Sequence, residues 1–202
     1  LQKFLKEAID AGCKYAILEV TSEGIKQCRH KFIDFEAAAL TNLTPEHIEA
    51  HKGFENYRVA KGKLFQAIKN IHIINTDDEN IEYFLQFPAV KKIKYGILQA
   101  LSFKPQEDGI DFEIDDIQIH LNLFGEFNLY NALCSIAVAR SQGISLDIIK
   151  QALAEIKVIP GRLEEIDKGQ NFKVFVDYAH TPDALRKVYE TLRTTDYRLQ
   201  AT

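Results

Sequence analysis

Thr41-Asn42-Leu43-Thr44-Pro45-Glu46-His47-Ile48-Glu49-Ala50-His51, followed closely by Tyr57-Arg58-Val59-Ala60-Lys61-Gly62-Lys63-Leu64-Phe65, is the stretch on which the fold of this chain turns. The apolar run Phe35 to Leu40 leads into Thr41-Asn42-Leu43, the pattern of a buried strand whose carboxyl end delivers polar groups to a cleft. Thr44-Pro45-Glu46 has the grammar of a helix start, with a cap residue, a proline at the first helical position and an acid in the first turn. His47 and His51 stand four residues apart and so share one face of that helix. On these residues alone, a capped surface helix with two solvated histidines is the simpler reading.

Outward from this stretch, the chain alternates helix and strand. Leu1, Phe4, Leu5, Ala8 and Ile9 recur at helical spacing, Gly12 stops the helix, and Lys14 to Val20 reads as a strand. A turn at Thr21-Ser22-Glu23-Gly24 follows. The spacing of Tyr57, Ala60, Leu64, Phe65 and Ile68 predicts a helix from about Phe54 to Lys69. Ile71 to Asn75 is the next strand, ending in Asn75-Thr76-Asp77-Asp78 where a turn and a helix cap belong; Ile81 to Leu85 reads as helix and Val90 to Tyr95 as strand. Strands alternating with helices imply an α/β fold with a mostly parallel, doubly wound sheet.

Past Gly96 the pattern changes. Phe112 to Leu121 alternates apolar and polar residues across Asp115-Asp116, the signature of an antiparallel hairpin with one wet face. Lys104 to Asp111 is polar and reads as a mobile loop. Two helices, roughly 127 to 141 and 145 to 156, are broken at Gly143, with Ser145 as the second cap. Ile159-Pro160-Gly161 reads as an interdomain hinge before a strand pair, Leu163 to Asp167 and Phe172 to Asp177. The expected organisation is one domain over 1–159 and the beginning of a second over 160–202.

Composition narrows the function classes. With 202 residues, 46% hydrophobic and 27% charged, the chain is of ordinary globular type and long enough for one full core and part of another. A net charge of -4 argues against nucleic acid or an anionic membrane as the main partner. The three cysteines, Cys13, Cys28 and Cys134, show no metal-ligand spacing and fit reduced thiols in a cytoplasm. The amino end is amphipathic rather than a signal-peptide core, and no apolar run approaches the roughly 20 residues that span a bilayer. Methionine is absent and the chain begins in mid-pattern, so an internal piece of a longer protein is expected.

The opening stretch resembles the Mur ligase family, ATP-dependent amide-forming enzymes of cell-wall precursor synthesis, in which T-N-L-x-x-D-H-x-x-x-H precedes a helix carrying Y-x-x-A-K. Phe127-Asn128-Leu129-Tyr130-Asn131-Ala132-Leu133, Pro160-Gly161-Arg162-Leu163-Glu164 and Val176-Asp177-Tyr178-Ala179-His180-Thr181-Pro182-Asp183-Ala184-Leu185 match further motifs in the family's order. The last is most similar to the member that adds the third peptide residue, lysine or diaminopimelate, to UDP-N-acetylmuramoyl-L-alanyl-D-glutamate. The resemblance implies a P-loop NTPase-like central domain, followed by the start of a Rossmann-like carboxyl-terminal domain.

The resemblance also implies a chemistry and a set of site residues. ATP phosphorylates a substrate carboxylate, and an amine then displaces phosphate, so positioning and charge neutralisation should dominate the site. Glu19, His47 and Lys61 are the implied Mg²⁺ set, with His47 and Lys61 also catalytic. The lysine is commonly carbamylated in the family, which turns an ammonium into an anionic carboxylate and requires an amine available uncharged. Thr21, Ser22, Gln27 and Arg29 match the segment that contacts the muramoyl peptide; an arginine fork suits a carboxylate or phosphate. Asn42, Asn131, Arg162, Asp177 and His180 match positions that bind ATP, with Arg162 engaging as domains close.

Departures from the family pattern are visible too. Thr21-Ser22-Glu23 stands where members show Ser-Ser-His, and Glu46 where they show Asp. No glycine-rich G-x-x-G-K-[ST] string, the loop that cradles phosphates on backbone amides, occurs in residues 1 to 202. These residues alone are therefore expected not to turn over ATP. Two other readings remain open: a folylpolyglutamate synthase or cyanophycin synthetase-like ligase, and a non-catalytic scaffold that lost the phosphate loop.

Overall fold

A strand buried on both faces needs apolar residues at every position, and Ile71-His72-Ile73-Ile74-Asn75 comes close to that. In the computed structural model, which describes residues 1–45, 48–106 and 108–194, this segment is β2 (Ile71–Asn75), buried throughout. It is the middle strand of a parallel sheet in the order β1-β2-β3, with β1 (Ala37–Leu40) and β3 (Lys91–Tyr95) on either side. Ala37 pairs with Ile71 and Leu40 with Ile74; Ile71 pairs with Lys91 and Asn75 with Tyr95.

Side chains alternate across a strand, so β2 feeds two cores. Ile74 joins a cluster with Leu40, Tyr57, Phe65, Ile68 and Phe84. That cluster is the buried stripe of α4 (Phe54–Ala67) packed on the sheet together with α5 (Ile81–Leu85). Phe65 and Phe84 meet edge to face, with ring centroids 4.9 Å apart. Ile71 and Ile73 face the other way, into a larger cluster with Tyr95, Phe112, Ile119, Leu129 and Leu133, where α6 (Glu126–Ser141) covers the sheet. Helices thus lie on both faces of the parallel strands, as the expected doubly wound arrangement requires.

The antiparallel hairpin forms as the sequence indicates, from β5 (Gly109–Ile114) and β6 (Ile117–Leu121). Asp115 and Asp116 make its turn at φ 48° and 63°, the left-handed pair that a two-residue hairpin loop demands. The loop expected over residues 104 to 111 does not hold: β4 (Leu101–Gln106) pairs with β5, Lys104 against Asp111 and Gln106 against Gly109. An edge strand needs only one apolar face, and Phe103 supplies it by packing on the core, while Pro105 is tolerated at the edge.

A second expectation also fails. Lys14 to Val20 forms no strand, and Tyr15 and Ile17 are 64% and 90% exposed. An apolar run becomes a strand only where a neighbour completes its hydrogen bonds, and among the described residues none pairs with this one. Before it, α1 (Gln2–Asp10) ends at Ala11 with Gly12 at φ 81°, as expected. After it come α2 (Ser22–Lys26) and α3 (Ile48–His51). The Glu46 and His47 part of the predicted helix start lies outside the described residues. Later in the chain, α7 (Leu146–Glu155) has Ser145 at its cap position, without a side-chain cap bond. The strand pair expected past residue 160 is reduced to β7 (Glu164–Glu165) and β8 (Phe175–Val176), followed by α8 (Pro182–Thr194).

Candidate functional site

The carboxyl ends of the parallel strands are tied together by side chains. Asn75 Nδ2 donates to the Thr41 carbonyl at 2.8 Å, and the Tyr95 hydroxyl donates to the Leu40 carbonyl at 2.9 Å. Asp78 Oδ2 accepts from the Leu43 N–H at 2.5 Å, and Asn80 Nδ2 donates to the Leu43 carbonyl at 3.3 Å. These bonds hold Thr41-Asn42-Leu43 open above the sheet. The result is a cleft of about 700 Å³ at the strand ends, where α/β sheets bind ligands.

Asn42 and Asn131 both line this cleft, the first from the end of β1 and the second from the first turns of α6. Asn131 Nδ2 donates to Asn128 Oδ1 at 3.2 Å, while Asn128 is buried and donates to the Phe124 carbonyl at 2.7 Å. Across the cleft stand Asp183, Arg186 and Lys187 of α8. Hydrogen bonds from Lys187, first, and then Arg186 hold the Asp183 carboxyl below the usual carboxylate range.

Two cleft acids, Asp77 and Asp78, were read from sequence only as turn and cap residues. Asp77 Oδ2 accepts from the Tyr130 hydroxyl at 3.0 Å and from the Ile97 N–H at 2.7 Å. Burial, and then the hydrogen bond to Asp77, push the Tyr130 phenol above its ordinary value. The signal that could have found them is their position, acids immediately following a buried strand in an α/β pattern.

A second group of predicted residues gathers where α2, α3 and α4 meet. Thr21 caps α2, its Oγ1 accepting from the Gly24 N–H at 3.0 Å. Ser22 is buried, with its Oγ 3.0 Å from His51 Nε2. Gln27 and Arg29 are exposed. Lys61 sits one turn beyond Tyr57 on α4, with its Nζ 5.5 Å from the centre of the Tyr57 ring. A further cleft of about 680 Å³ opens beside this group, lined by Lys26, His51, Asn56 and Lys63 among others.

Arg162, Asp177 and His180 form a third group, which does not line the first cleft. Asp177 Oδ2 accepts from the Leu163 N–H and its Oδ1 from the Ala179 N–H, both at 2.7 Å. The Arg162 guanidinium lies 5.3 Å from the centre of the Tyr178 ring, and His180 Nδ1 is 2.9 Å from the Tyr178 carbonyl. Gly161, half-buried and at φ 68°, makes the turn that lets the Tyr178 N–H reach its carbonyl at 2.9 Å.

The metal set implied by resemblance is not assembled among the described residues. Glu19 is exposed in the unpaired Lys14 to Val20 stretch, and His47 lies outside the described residues. No group of three or more His, Cys, Asp or Glu side chains among those described comes close enough to hold a metal ion. The described residues alone therefore supply no cluster of donors for Mg²⁺.

Comparison with known proteins identifies the family. Residues 1–139 match the family described as the Mur ligase middle domain. The chain is 38% identical over 206 residues to the UDP-N-acetylmuramoyl-L-alanyl-D-glutamate--2,6-diaminopimelate ligase of Syntrophomonas wolfei subsp. wolfei, over 96% of this chain and 42% of that protein. A solved structure of a ligase of the same name is similar at a TM-score of 0.75 and 28% identity, over 91% of this chain and 41% of that one. The MurF ligase of Thermotoga maritima, solved in complex with ADP, shares the fold at a TM-score of 0.70 and 20% identity, over 86% of this chain and 42% of that one. The chain thus spans less than half the length of the curated relatives it matches.

Proposed function

Because the chain belongs to the Mur ligase family through that family's middle domain, we propose that it is part of an ATP-dependent ligase of peptidoglycan precursor synthesis. The reaction adds the third peptide residue, diaminopimelate or lysine, to UDP-N-acetylmuramoyl-L-alanyl-D-glutamate. The observation that carries this reading is the 38% identity, over 96% of the chain, to a ligase of that name. The relatives' names favour diaminopimelate over lysine. In this reading residues 1–159 belong to the central ATP-binding domain, 160–202 begin the carboxyl-terminal domain, and the protein works in the cytoplasm.

The chemistry follows from the substrates. The substrate carboxylate attacks the γ-phosphorus of ATP, forming an acyl phosphate and releasing ADP. The amine of the amino acid then attacks the acyl carbon; phosphate leaves with the C–O bonding pair, and the amine loses a proton as the amide forms. The cleft at the strand ends is the nucleotide's place, with Asn42 and Asn131 as amides for the base. Arg162, Asp177 and His180, on the β7–β8 side, would meet the nucleotide on domain closure. Thr21, Gln27 and Arg29 take the muramoyl peptide, and the resemblance makes Lys61, carbamylated, the orienting anion of the site. Mg²⁺ remains the ion that the resemblance implies, with Glu19, His47 and Lys61 as its set.

The test is phosphate release by the protein of the complete reading frame. With Mg-ATP, UDP-N-acetylmuramoyl-L-alanyl-D-glutamate and diaminopimelate or lysine supplied in turn, release should require both the muramoyl substrate and one amino acid. Release that ignores the muramoyl substrate, or no release with either amino acid, defeats the proposal.

A further inference from the structure

Ser22 and His51 are 3% and 8% exposed, two of the few buried polar side chains among the described residues. Their polar atoms meet at 3.0 Å, and the Glu23 carboxylate stands 3.7 Å from the same His51 nitrogen. The His51 ring also packs at 53° against Tyr57 of α4, with centroids 5.4 Å apart. The pair therefore joins the Thr21 to Arg29 segment to the two helices beneath it.

Ile25, 3% exposed, also seats the segment by apolar contact, but the segment has little stability of its own. The α2 helix has five residues, far below the length at which a helix is stable by itself. It contributes no strand to any sheet among the described residues. Among the described residues a further hydrogen bond to α3 runs from Lys26 Nζ to the Ala50 carbonyl, at 3.3 Å and exposed. A buried hydrogen bond fixes geometry more firmly than an exposed one, because losing either partner strands the other away from water. Ser22 points inward with its hydroxyl engaged, whereas Thr21, Gln27 and Arg29 are exposed and face outward. The Ser22 hydroxyl, which the resemblance sets among the substrate contacts, is engaged by His51 at 3.0 Å.

We propose that His51 is a positioning residue that, through Ser22, fixes the segment carrying Thr21, Gln27 and Arg29 at a set place against α4, and with it the anionic muramoyl dipeptide. The choice of that ligand rests on the ligase reading above. His51 itself does not touch the substrate.

The experiment uses the protein of the complete reading frame as His51→Ala, His51→Gln, Ser22→Ala and the double Ser22→Ala/His51→Ala variant. Calorimetry gives the Kd for UDP-N-acetylmuramoyl-L-alanyl-D-glutamate, and steady-state kinetics give KM for each substrate. In His51→Ala the Kd and KM for the muramoyl substrate should rise about tenfold, the equivalent of one buried hydrogen bond, with KM for ATP unchanged. His51→Gln, whose amide can reach Ser22, should restore most of the loss, and the double variant should be no worse than His51→Ala. An unchanged Kd in His51→Ala, or an equal rise in every KM, overturns the proposal. Should His51→Ala fail to fold, the contrast between Ser22→Ala and His51→Gln decides in the same way. Wild-type binding without turnover would defeat the ligase reading and leave this one intact; turnover with an unchanged His51→Ala Kd would do the reverse. A wild type that neither binds nor turns over the muramoyl substrate defeats both.

Discussion

Replacing Tyr95 by phenylalanine removes one oxygen atom from the place where the parallel sheet is tied shut. The ring is 1% exposed, and its hydroxyl donates to the Leu40 carbonyl at 2.9 Å, with Thr41 O a further 3.4 Å contact. β3 and β1 do not pair with each other, so this bond joins their ends across β2 and sets where Asn42 begins. Phenylalanine keeps the apolar burial and loses the hydrogen bond, a cost of about 1–2 kcal/mol. For a chain of this size that is about 2–8 °C in Tm. The pH dependence supplies a second signature. Burial pushes the Tyr95 phenol well above its ordinary value near 10. Its folded value is raised, so its stabilisation is complete below about pH 10 and declines at higher pH, where the unfolded phenol ionises and the folded one stays neutral. Circular-dichroism melts of wild type and Tyr95→Phe between pH 8 and pH 11 should show the wild-type advantage at pH 8 shrinking toward pH 11. Equal Tm values at pH 8, or a gap that stays constant to pH 11, would mean that the buried Tyr95 hydroxyl does not stabilise the sheet.

Three other perturbations test separate parts of the structure. His72 is fully buried in β2; burial holds its imidazole below the ordinary value near 6.5 and leaves its Nδ1 without a partner. Stability should therefore fall as pH drops below about 6.5, and thermal melts of His72→Leu should show a flatter acid limb than wild type. At Gly96 an added Cβ would lie 2.0 Å from Thr76 Oγ1 and 2.8 Å from Asp77 Oδ2. Gly96→Ala should cost about 1–3 kcal/mol in urea unfolding and weaken ATP binding, since Asp77 walls the cleft. Phe84→Ala, at 0% exposed against Phe65, should cost about 3–5 kcal/mol in the same assay.

Where a local pattern carried its own hydrogen bonds, the sequence was a good guide. The α4 stripe, the all-buried β2 and the Asp115-Asp116 turn are each determined within a few residues by periodicity or by residues that tolerate positive φ. Lys14 to Val20 and β4 failed because a strand is a property of two segments, and periodicity reports only one. For the site, Asn42 and Asn131 do meet at one cleft although 89 positions apart in the chain. Asp77 and Tyr130 were missed for the opposite reason: their pairing at 3.0 Å is a long-range contact with no local signature. Ser22 matches the substrate-contacting segment, and the bond of its hydroxyl to His51, 29 positions away, has no local signature.

Whether this chain serves an amide-forming ligase with Lys61 in its site is decided by the product of the reaction. The protein of the complete reading frame, as wild type and as Lys61→Ala, is incubated with Mg-ATP, UDP-N-acetylmuramoyl-L-alanyl-D-glutamate and diaminopimelate or lysine, and the nucleotide peptides are weighed by mass spectrometry. The wild type should yield a species heavier by one amino acid residue. Lys61→Ala should yield roughly 100-fold less, recovering in part when a short carboxylate such as formate is added. No heavier species from the wild type with either amino acid, or undiminished product from Lys61→Ala, would contradict the claim.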